Sequence, residues 1–200
     1  MKKIGLMGGT FDPPHIGHLI MAECAKESLG LDVVIFIPTG DTKYKDKHTS
    51  AEDRYNMVSL AISGRNGFLN SDIEIKRDGY SFTADTIQEL ADIYADSQLY
   101  FIVGADSLDY MDKWKEPERI FSKCKIVAIE RAGYHLDEMQ NKAYELKNLF
   151  SADIIFVDMP RIDISSSYIR NNISKGKSVK YLLADNVIEY IQNKKLYCGE

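Results

Sequence analysis

The sequence has few cysteines and lacks a long apolar run. Its three cysteines are spread over 200 residues without the paired spacing of a metal site, so we expect three unpaired thiols in a reducing, cytoplasmic setting. No segment is long enough to cross a bilayer. The apolar run that follows the first lysines is interrupted by Gly8 and Gly9, which leaves it too short for a secretory signal. We therefore predict a protein that is neither exported nor associated with a membrane.

An excess of positive charge is also absent. The formal net charge is −5, which argues against a general nucleic-acid surface, so we expect no nucleic-acid partner. The 44% of apolar residues are enough for a substantial core. Internal repeats and low-complexity segments are lacking as well. We expect one domain over residues 1–200, with a helical C-terminal subregion at about 165–200.

Short apolar runs alternate with longer stretches of helical period. Runs such as "VVIFI" and "YFIVG" are apolar throughout, which is typical of parallel strands buried on both faces. The alternation predicts an α/β fold: a doubly wound, Rossmann-like parallel sheet with helices on both faces and a small helical C-terminal piece. The predicted strands are Lys3–Met7, Val33–Pro38, Asn70–Ile75, Leu99–Gly104, Lys125–Glu130 and Ile154–Val157. The predicted helices lie near 16–29, 51–63, 84–95, 105–112, 136–149, 166–174 and 184–194.

The stretch "GLMGGTFDPPHIGHLI" (5–20) ends the first predicted strand and opens the first helix. Glycines at 8 and 9 allow a ligand to approach the backbone closely, and the two prolines that follow stiffen the loop. His15 and His18 are three residues apart, so both side chains lie on one face at the helix start. The unpaired amides and partial positive charge of that helix end add to the site. The combination favours a phosphate site.

Other interpretations of this stretch exist. It is neither a Walker loop, because no Gly-Lys-Ser/Thr follows, nor a GxGxxG fingerprint. Two histidines at this spacing also occur in zinc sites, although the sequence places no third ligand. By spacing alone, two separate core histidines are an equal alternative.

Two further stretches combine polar groups with a helix start. In "DISSSYIR", Ser165 suits a helix cap, whereas three serines together with Arg170 suit a second anion site. In "FIVGADS", Gly104 and Asp106 follow a buried strand at the carboxyl edge of the sheet. Asp106 suits either a helix cap or a carboxylate that accepts hydrogen bonds from ribose hydroxyls.

Two more features have an ordinary structural explanation and a functional one. Trp114, the only tryptophan, suits packing on the core surface or stacking on a flat ligand. The segment "TGDTKYKDK" holds Lys43, Lys45 and Lys47, which suit a solvated loop or a loop that closes over phosphates.

Four motifs in order carry a family resemblance that covers nearly the whole chain. "GGTFDPPHIGH" resembles the signature of the HxGH nucleotidyltransferase superfamily. "SFTADT" (81–86), "FIVGADSLDYMDKW" (101–114) and "ISSSYIR" (164–170) resemble motifs of the bacterial nicotinate-nucleotide adenylyltransferases. The chain departs from the family pattern at Phe82 in place of tyrosine, Ser167 in place of threonine and Tyr44 in place of histidine.

The resemblance implies transfer of the adenylyl group of ATP to nicotinate mononucleotide, with Mg²⁺ carried by ATP and no metal held by the protein. The implied catalytic residues are His15 and His18. The residues implied to bind ATP or its phosphates are Gly8, Gly9, Thr10, Phe11, Lys45, Gly104, Asp106, Ser165, Ser166 and Arg170. Those implied to bind the nicotinate nucleotide are Thr83 and Trp114.

Two alternative functions remain at this stage. One keeps the superfamily chemistry but uses another acceptor, such as phosphopantetheine or glycerol phosphate. The other is a non-catalytic module that binds adenylates or pyridine dinucleotides. A nicotinate ring and a nicotinamide ring both suit the predicted pocket, and only the family resemblance favours nicotinate. Composition and motif spacing do not indicate an oligomeric state.

Overall fold

A computed structural model describes residues 1–40, 49–129 and 136–198 of the chain. Within these residues, six parallel strands form one sheet in the spatial order β3-β2-β1-β4-β5-β6. The strands are β1 (Lys2–Gly9), β2 (Val33–Pro38), β3 (Phe68–Asn70), β4 (Ser97–Gly104), β5 (Lys125–Ile129) and β6 (Ile154–Val157). This is the strand order of a doubly wound sheet, so the predicted fold class is confirmed.

Eight α-helices accompany the sheet in the described ranges. They are α1 (Ile16–Leu29), α2 (Ala51–Ala61), α3 (Thr83–Ile93), α4 (Ala105–Leu108), α5 (Pro117–Lys123), α6 (Leu136–Phe150), α7 (Ser166–Ser174) and α8 (Asp185–Lys194). A 3-10 turn covers Met111–Lys113. None of these helices is both long and apolar enough to cross a membrane.

The helices cover both faces of the sheet because its central strands are apolar on both sides. Along β1, Ile4 and Leu6 belong to a buried cluster shared with α3, α4, α5 and α6. Met7 belongs to the opposite cluster, which is shared with α1, α2, α7 and α8. Residues of α7 and α8 therefore belong to the same apolar cluster as one face of the sheet.

The sheet reverses its order between β1 and β4. β2 and β3 lie on one side of β1, whereas β4, β5 and β6 lie on the other. Gly9 ends β1 and Gly104 ends β4, so the loop after β1 and the start of α4 border the switch point. Open α/β sheets bind ligands at this place. We refer to the space between the loop after β1 and the start of α4 as the β1/β4 crevice.

Three element predictions need correction. β3 covers Phe68–Asn70 rather than Asn70–Ile75, because residues after Asn70 turn instead of extending, with the Lys76 N–H donating to the Asp72 carbonyl at 2.9 Å. The alternation of Ile73 and Ile75 with acidic residues imitates a strand. The helix predicted at 105–112 stops at Leu108. A helix at Pro117–Lys123 was not predicted.

Candidate active site

The loop after β1 folds back under the strand end. Phe11 adopts a positive φ of 50° and buries its ring. A Cβ at Gly9 would lie only 3.0 Å from that ring, so glycine is needed for the close approach. The Phe11 ring meets His18 edge-on, with centroids 5.0 Å apart. Because the ring is internal, only the backbone of Phe11 is available to the predicted phosphate contact, whereas Gly8 is exposed at the sheet edge.

The two histidines come together as the sequence predicts. Their rings stack with centroids 3.7 Å apart and an interplanar angle of 26°. The backbone N–H of His15 donates to Nδ1 of His18 at 3.0 Å, so a neutral His18 carries its proton on Nε2. His15 is almost completely buried, whereas His18 is half-buried. This contact rules out two separate core histidines.

Gly17 makes room for the histidine pair. A Cβ at this position would lie 3.1 Å from both Nδ1 and Cε1 of His15. Any larger residue between the two histidines would therefore press on the His15 ring. The first turn of α1, all of it described, holds no acidic side chain, so its positive end is not neutralised from within the helix.

The start of α7 contacts the same loop. Ser166 Oγ donates to the Pro13 carbonyl at 2.8 Å, and one guanidinium nitrogen of Arg170 donates to the Asp12 carbonyl at 2.6 Å. The other terminal nitrogen of Arg170 donates to Ser167 Oγ at 3.2 Å. Ser165 accepts from the Tyr168 N–H at 3.2 Å, so it is the helix cap. The two predicted anion sites are thus joined through the loop after β1.

The predicted pyridine-nucleotide residues lie on α3 and on the loop after α4. Thr83 is the first residue of α3, and Trp114 packs edge-on against Phe101 of β4 at a centroid distance of 6.2 Å. Lys115 links the two segments, because its Nζ lies 4.2 Å from the centroid of the Phe82 ring and 3.5 Å from Asp85 Oδ2. The motifs around Thr83 and Trp114 therefore form one structural unit.

The remaining predicted site residues lie at β4 and α4, in the loop after β1, or outside the described part of the chain. Gly104 is buried at the end of β4, and Asp106 is exposed in α4 beside it. The Thr10 carbonyl accepts a hydrogen bond from Arg54 at 2.9 Å. Lys43, Tyr44, Lys45 and Lys47 lie outside the described residues. Among the residues that are described, no three His, Cys, Asp or Glu side chains are grouped closely enough to hold a metal ion.

Sequence reasoning missed a buried arginine. Arg54 of α2 donates to the carbonyls of Thr10 at 2.9 Å, Thr49 at 3.0 Å and Gly40 at 3.4 Å. These contacts tie the loop after β1 to the residues that border segment 41–48. The available signal was the spacing of Arg54, which shares one helix face with the apolar residues Met57, Val58 and Ala61, since a buried arginine is almost always paired.

A buried carboxylate was also missed. Glu74 Oε1 accepts a hydrogen bond from Thr86 Oγ1 at 2.8 Å, and Arg77 donates to the same hydroxyl at 2.9 Å. Burial raises the pKa of Glu74, although the Thr86 and Gly40 hydrogen bonds and the nearby arginines oppose the shift. Glu74 thereby connects Gly40, two positions after the end of β2, with α3.

Comparison with known proteins gives the same family as the motifs. Residues 6–172 match the cytidylyltransferase-like family model. The protein named "Probable nicotinate-nucleotide adenylyltransferase" from Dehalococcoides mccartyi is 45% identical to this chain, with 98% of this chain and 97% of that protein aligned. The one with the same name from Oceanobacillus iheyensis is 38% identical, with the same two coverages.

The solved structure of Plasmodium falciparum nicotinic acid mononucleotide adenylyltransferase complexed with NaAD superposes with a TM-score of 0.81. It is 20% identical to this chain and covers 98% of both chains, so it shows the shared fold. The family resemblance of the four motifs is confirmed by the sequence relatives. The chain belongs to the nicotinate-nucleotide adenylyltransferases, a family of nucleotidyltransferases within the cytidylyltransferase-like fold group.

Proposed function

We propose that this protein transfers the adenylyl group of ATP to nicotinate mononucleotide in the β1/β4 crevice, as a step of NAD biosynthesis. The products are nicotinate adenine dinucleotide and pyrophosphate. The observation that carries the proposal is the stacked pair of His15 and His18 at the start of α1, joined through one loop to Arg170. Family membership supports the choice of substrates.

The reaction needs alignment and charge neutralisation more than proton transfer. A phosphate oxygen of nicotinate mononucleotide attacks the α-phosphorus of ATP and forms a new P–O bond. The bond from the α-phosphorus to the oxygen bridging toward the β-phosphate breaks, and that oxygen leaves with pyrophosphate. A phosphate monoester has its second pKa at about 6, so the nucleophile is largely ionised at neutral pH without a general base. The protein must hold two anions in line.

His18 is suited to stabilise the charge that develops. Its Nδ1 accepts from the His15 N–H, so a neutral His18 carries its proton on Nε2, and an imidazole N–H is a suitable donor to a phosphate oxygen. His15, stacked beneath it and almost buried, holds that ring in place and adds a second imidazole to the phosphate environment. The unneutralised positive end of α1 favours the same anion.

Arg170 and the start of α7 supply the second part of the phosphate site. Each terminal nitrogen of Arg170 donates one hydrogen bond, one to the Asp12 carbonyl and the other to Ser167 Oγ. These two bonds fix the orientation of the guanidinium plane. A permanently charged, planar group in a fixed orientation suits phosphate oxygens. The first turn of α7, which is fully described, carries no acidic residue.

The pyridine ring is assigned to the unit of Thr83 and Trp114. The cap residue of α3 is Phe82, which has no side-chain oxygen to occupy the first-turn N–H groups. That helix end favours a carboxylate over a neutral amide, which supports nicotinate over nicotinamide. Asp85, in the first turn of α3, forms ion pairs with Lys115 and Arg119. These cations offset its negative charge, so Asp85 repels the nicotinate carboxylate less than an unpaired aspartate would.

Mg²⁺ is assigned to the triphosphate rather than to the protein. The imidazole of His18 and the guanidinium of Arg170 suit phosphate oxygens, and Mg²⁺ in nucleotide sites usually keeps several waters and binds through the substrate phosphates. When bound with ATP, Mg²⁺ would neutralise charge on the leaving pyrophosphate. A cytoplasmic location stays a prediction of the sequence.

A pyrophosphate-release assay with ATP and a panel of acceptors tests the function. Nicotinate mononucleotide is expected to give the highest kcat/KM, followed by nicotinamide mononucleotide. Phosphopantetheine or glycerol phosphate as the best acceptor would replace the proposed substrate. ATP binding without pyrophosphate release for any acceptor would favour the non-catalytic module.

A further inference from the structure

The chain reverses direction after α8 and returns toward the crevice. Lys195 and Tyr197 both adopt the left-handed region, with φ of 53° and 60°, although neither is glycine. The N–H of Leu196 donates to the Ile191 carbonyl at 3.0 Å, which stabilises the turn. Such conformations persist in non-glycine residues when surrounding contacts hold them.

The hydroxyl of Tyr197 reaches the loop that carries the histidines. It donates to Asp12 Oδ1 at 2.5 Å, across 185 positions of sequence. The Thr49 side chain is hydrogen-bonded to the same hydroxyl. Burial and the Asp12 carboxylate raise the pKa of Tyr197 well above its usual value, so the phenol stays a neutral donor throughout the working pH range.

Asp12 connects the parts of the phosphate site. Its side chain is buried and also accepts from the Thr49 N–H at 3.4 Å, while its carbonyl accepts from Arg170 at 2.6 Å. Three positions further on, His15 begins α1. The residues Asp12, Thr49, Arg170 and Tyr197 line one open cavity of about 410 Å³ beside α7. A shift of Asp12 would therefore move both the histidine pair and Arg170.

We propose that Tyr197 is a positioning residue, which holds Asp12 so that His15, His18 and Arg170 face one triphosphate. The inference rests on the proposed adenylyl transfer. Tyr197 itself contacts Asp12, Thr49 and the Sδ of Met57, at 3.9 Å, so its action on the reaction passes through Asp12. The C-terminal segment thus completes the geometry of a site built at the other end of the chain.

The matched control is Tyr190 on α8. Its hydroxyl donates to Asp53 Oδ1 at 2.7 Å, so it forms the same kind of tyrosine–carboxylate bond. Asp53 lies in the first turn of α2 and bonds the cap residue Ser50, and its side chain does not contact the loop after β1 in the described contacts. Tyr190→Phe therefore removes an equivalent bond from a place that does not position the histidines.

The experiment measures kcat and KM for both substrates, and the melting temperature, in Tyr197→Phe and Tyr190→Phe. Tyr197→Phe is expected to lower kcat/KM for ATP roughly tenfold to a hundredfold, the range set by one hydrogen bond to a charged group. KM for nicotinate mononucleotide should change much less. Tyr190→Phe should alter the melting temperature to a similar extent and leave the kinetic constants near those of the wild type.

A double-mutant cycle with Asp12→Ala, which removes the side-chain acceptor of the Tyr197 hydroxyl, shows whether the effect passes through Asp12. Tyr197→Phe should have little further effect on kcat/KM for ATP in the Asp12→Ala background. Unchanged kinetics in Tyr197→Phe, equal kinetic losses in both tyrosine variants, or full additivity with Asp12→Ala would overturn the inference. A wild-type enzyme that releases no pyrophosphate would instead refute the underlying function, so the two failures are distinguishable.

Discussion

The backbone N–H of His15 donates to Nδ1 of His18 at 3.0 Å, while the two rings stack 3.7 Å apart. A helix start therefore fixes both the tautomer and the orientation of a neutral His18. The pairing explains the spacing of three residues, because only at that distance does a first-turn side chain return to the cap N–H. Backbone geometry and imidazole chemistry are coupled in this motif.

Removal of the His18 imidazole should impair the chemical step. His18→Ala is expected to lower kcat by ~10²–10³, which is typical for the loss of one donor that stabilises transition-state charge. The fold should persist, because the ring is half-buried rather than part of the apolar core. Steady-state kinetics beside circular dichroism and thermal melting make the comparison. Near-normal turnover in a folded variant would contradict the assigned role.

Gly17 should be needed for the position of the histidines rather than for helix stability. Glycine to alanine inside a helix ordinarily stabilises by about 0.5–1 kcal/mol. At this site the added Cβ would meet the His15 ring at 3.1 Å. Gly17→Ala is therefore expected to lose at least about tenfold in kcat/KM while the melting temperature changes by only a few degrees. If activity stays at the wild-type level, the ring tolerates the shift.

Arg170 should act through its planar fork and not through charge alone. Arg170→Lys keeps the charge but cannot bond Asp12 and Ser167 in the same orientation, so KM for ATP is expected to rise about tenfold. Arg65→Ala, at an exposed position, is the control for loss of a surface arginine. Isothermal titration with ATP separates binding from turnover. A lysine variant with wild-type ATP affinity would show that charge is sufficient.

Trp114 should contribute to binding of the acceptor nucleotide. Trp114→Ala is expected to raise KM for nicotinate mononucleotide by about tenfold, in line with loss of an aromatic stacking contact. Trp114→Phe should recover most of that loss, since a flat ring remains. KM for ATP serves as the internal control in both variants. An equal rise in both KM values would point to disruption of the β4 packing around Phe101 instead.

The sequence predicts those strands and helices whose hydrophobic pattern is set by residues close together in the chain. β2 and the bounds of α1 match the expectation because an uninterrupted apolar run and a cap followed by helical period need no distant partner. β3 was misplaced because Ile73 and Ile75 alternate with polar residues, although Glu74 is turned inward by its bond to Thr86. A seven-residue helix such as α5 has too few turns to show a period.

The residues of the candidate site also fall into two groups, those predictable from short-range sequence motifs and those brought together only by the fold. His15 and His18 are predictable because their contact spans three positions. Arg54 reaches Thr10 across 44 positions and Tyr197 reaches Asp12 across 185, so only the assembled sheet brings them together. Local motifs therefore predict the groups that we propose to contact the substrate, whereas the groups that hold those motifs in place are visible only in the fold.

Glu74 should make stability depend on pH. Burial raises its pKa above the ordinary 4.5, so the folded state binds a proton that the unfolded state releases as pH rises from that value. The contribution of Glu74 to the free energy of unfolding should therefore fall across this window, because the slope follows the difference in bound protons. Glu74→Gln lacks this titrating group, so the free energy of unfolding of the variant minus that of the wild type should increase with pH.

Urea unfolding at several pH values measures this difference. Glu89→Gln is the control for a lost charge, because Glu89 is an exposed carboxylate paired with Arg77. A difference that stays constant or decreases with pH would exclude a raised pKa at Glu74.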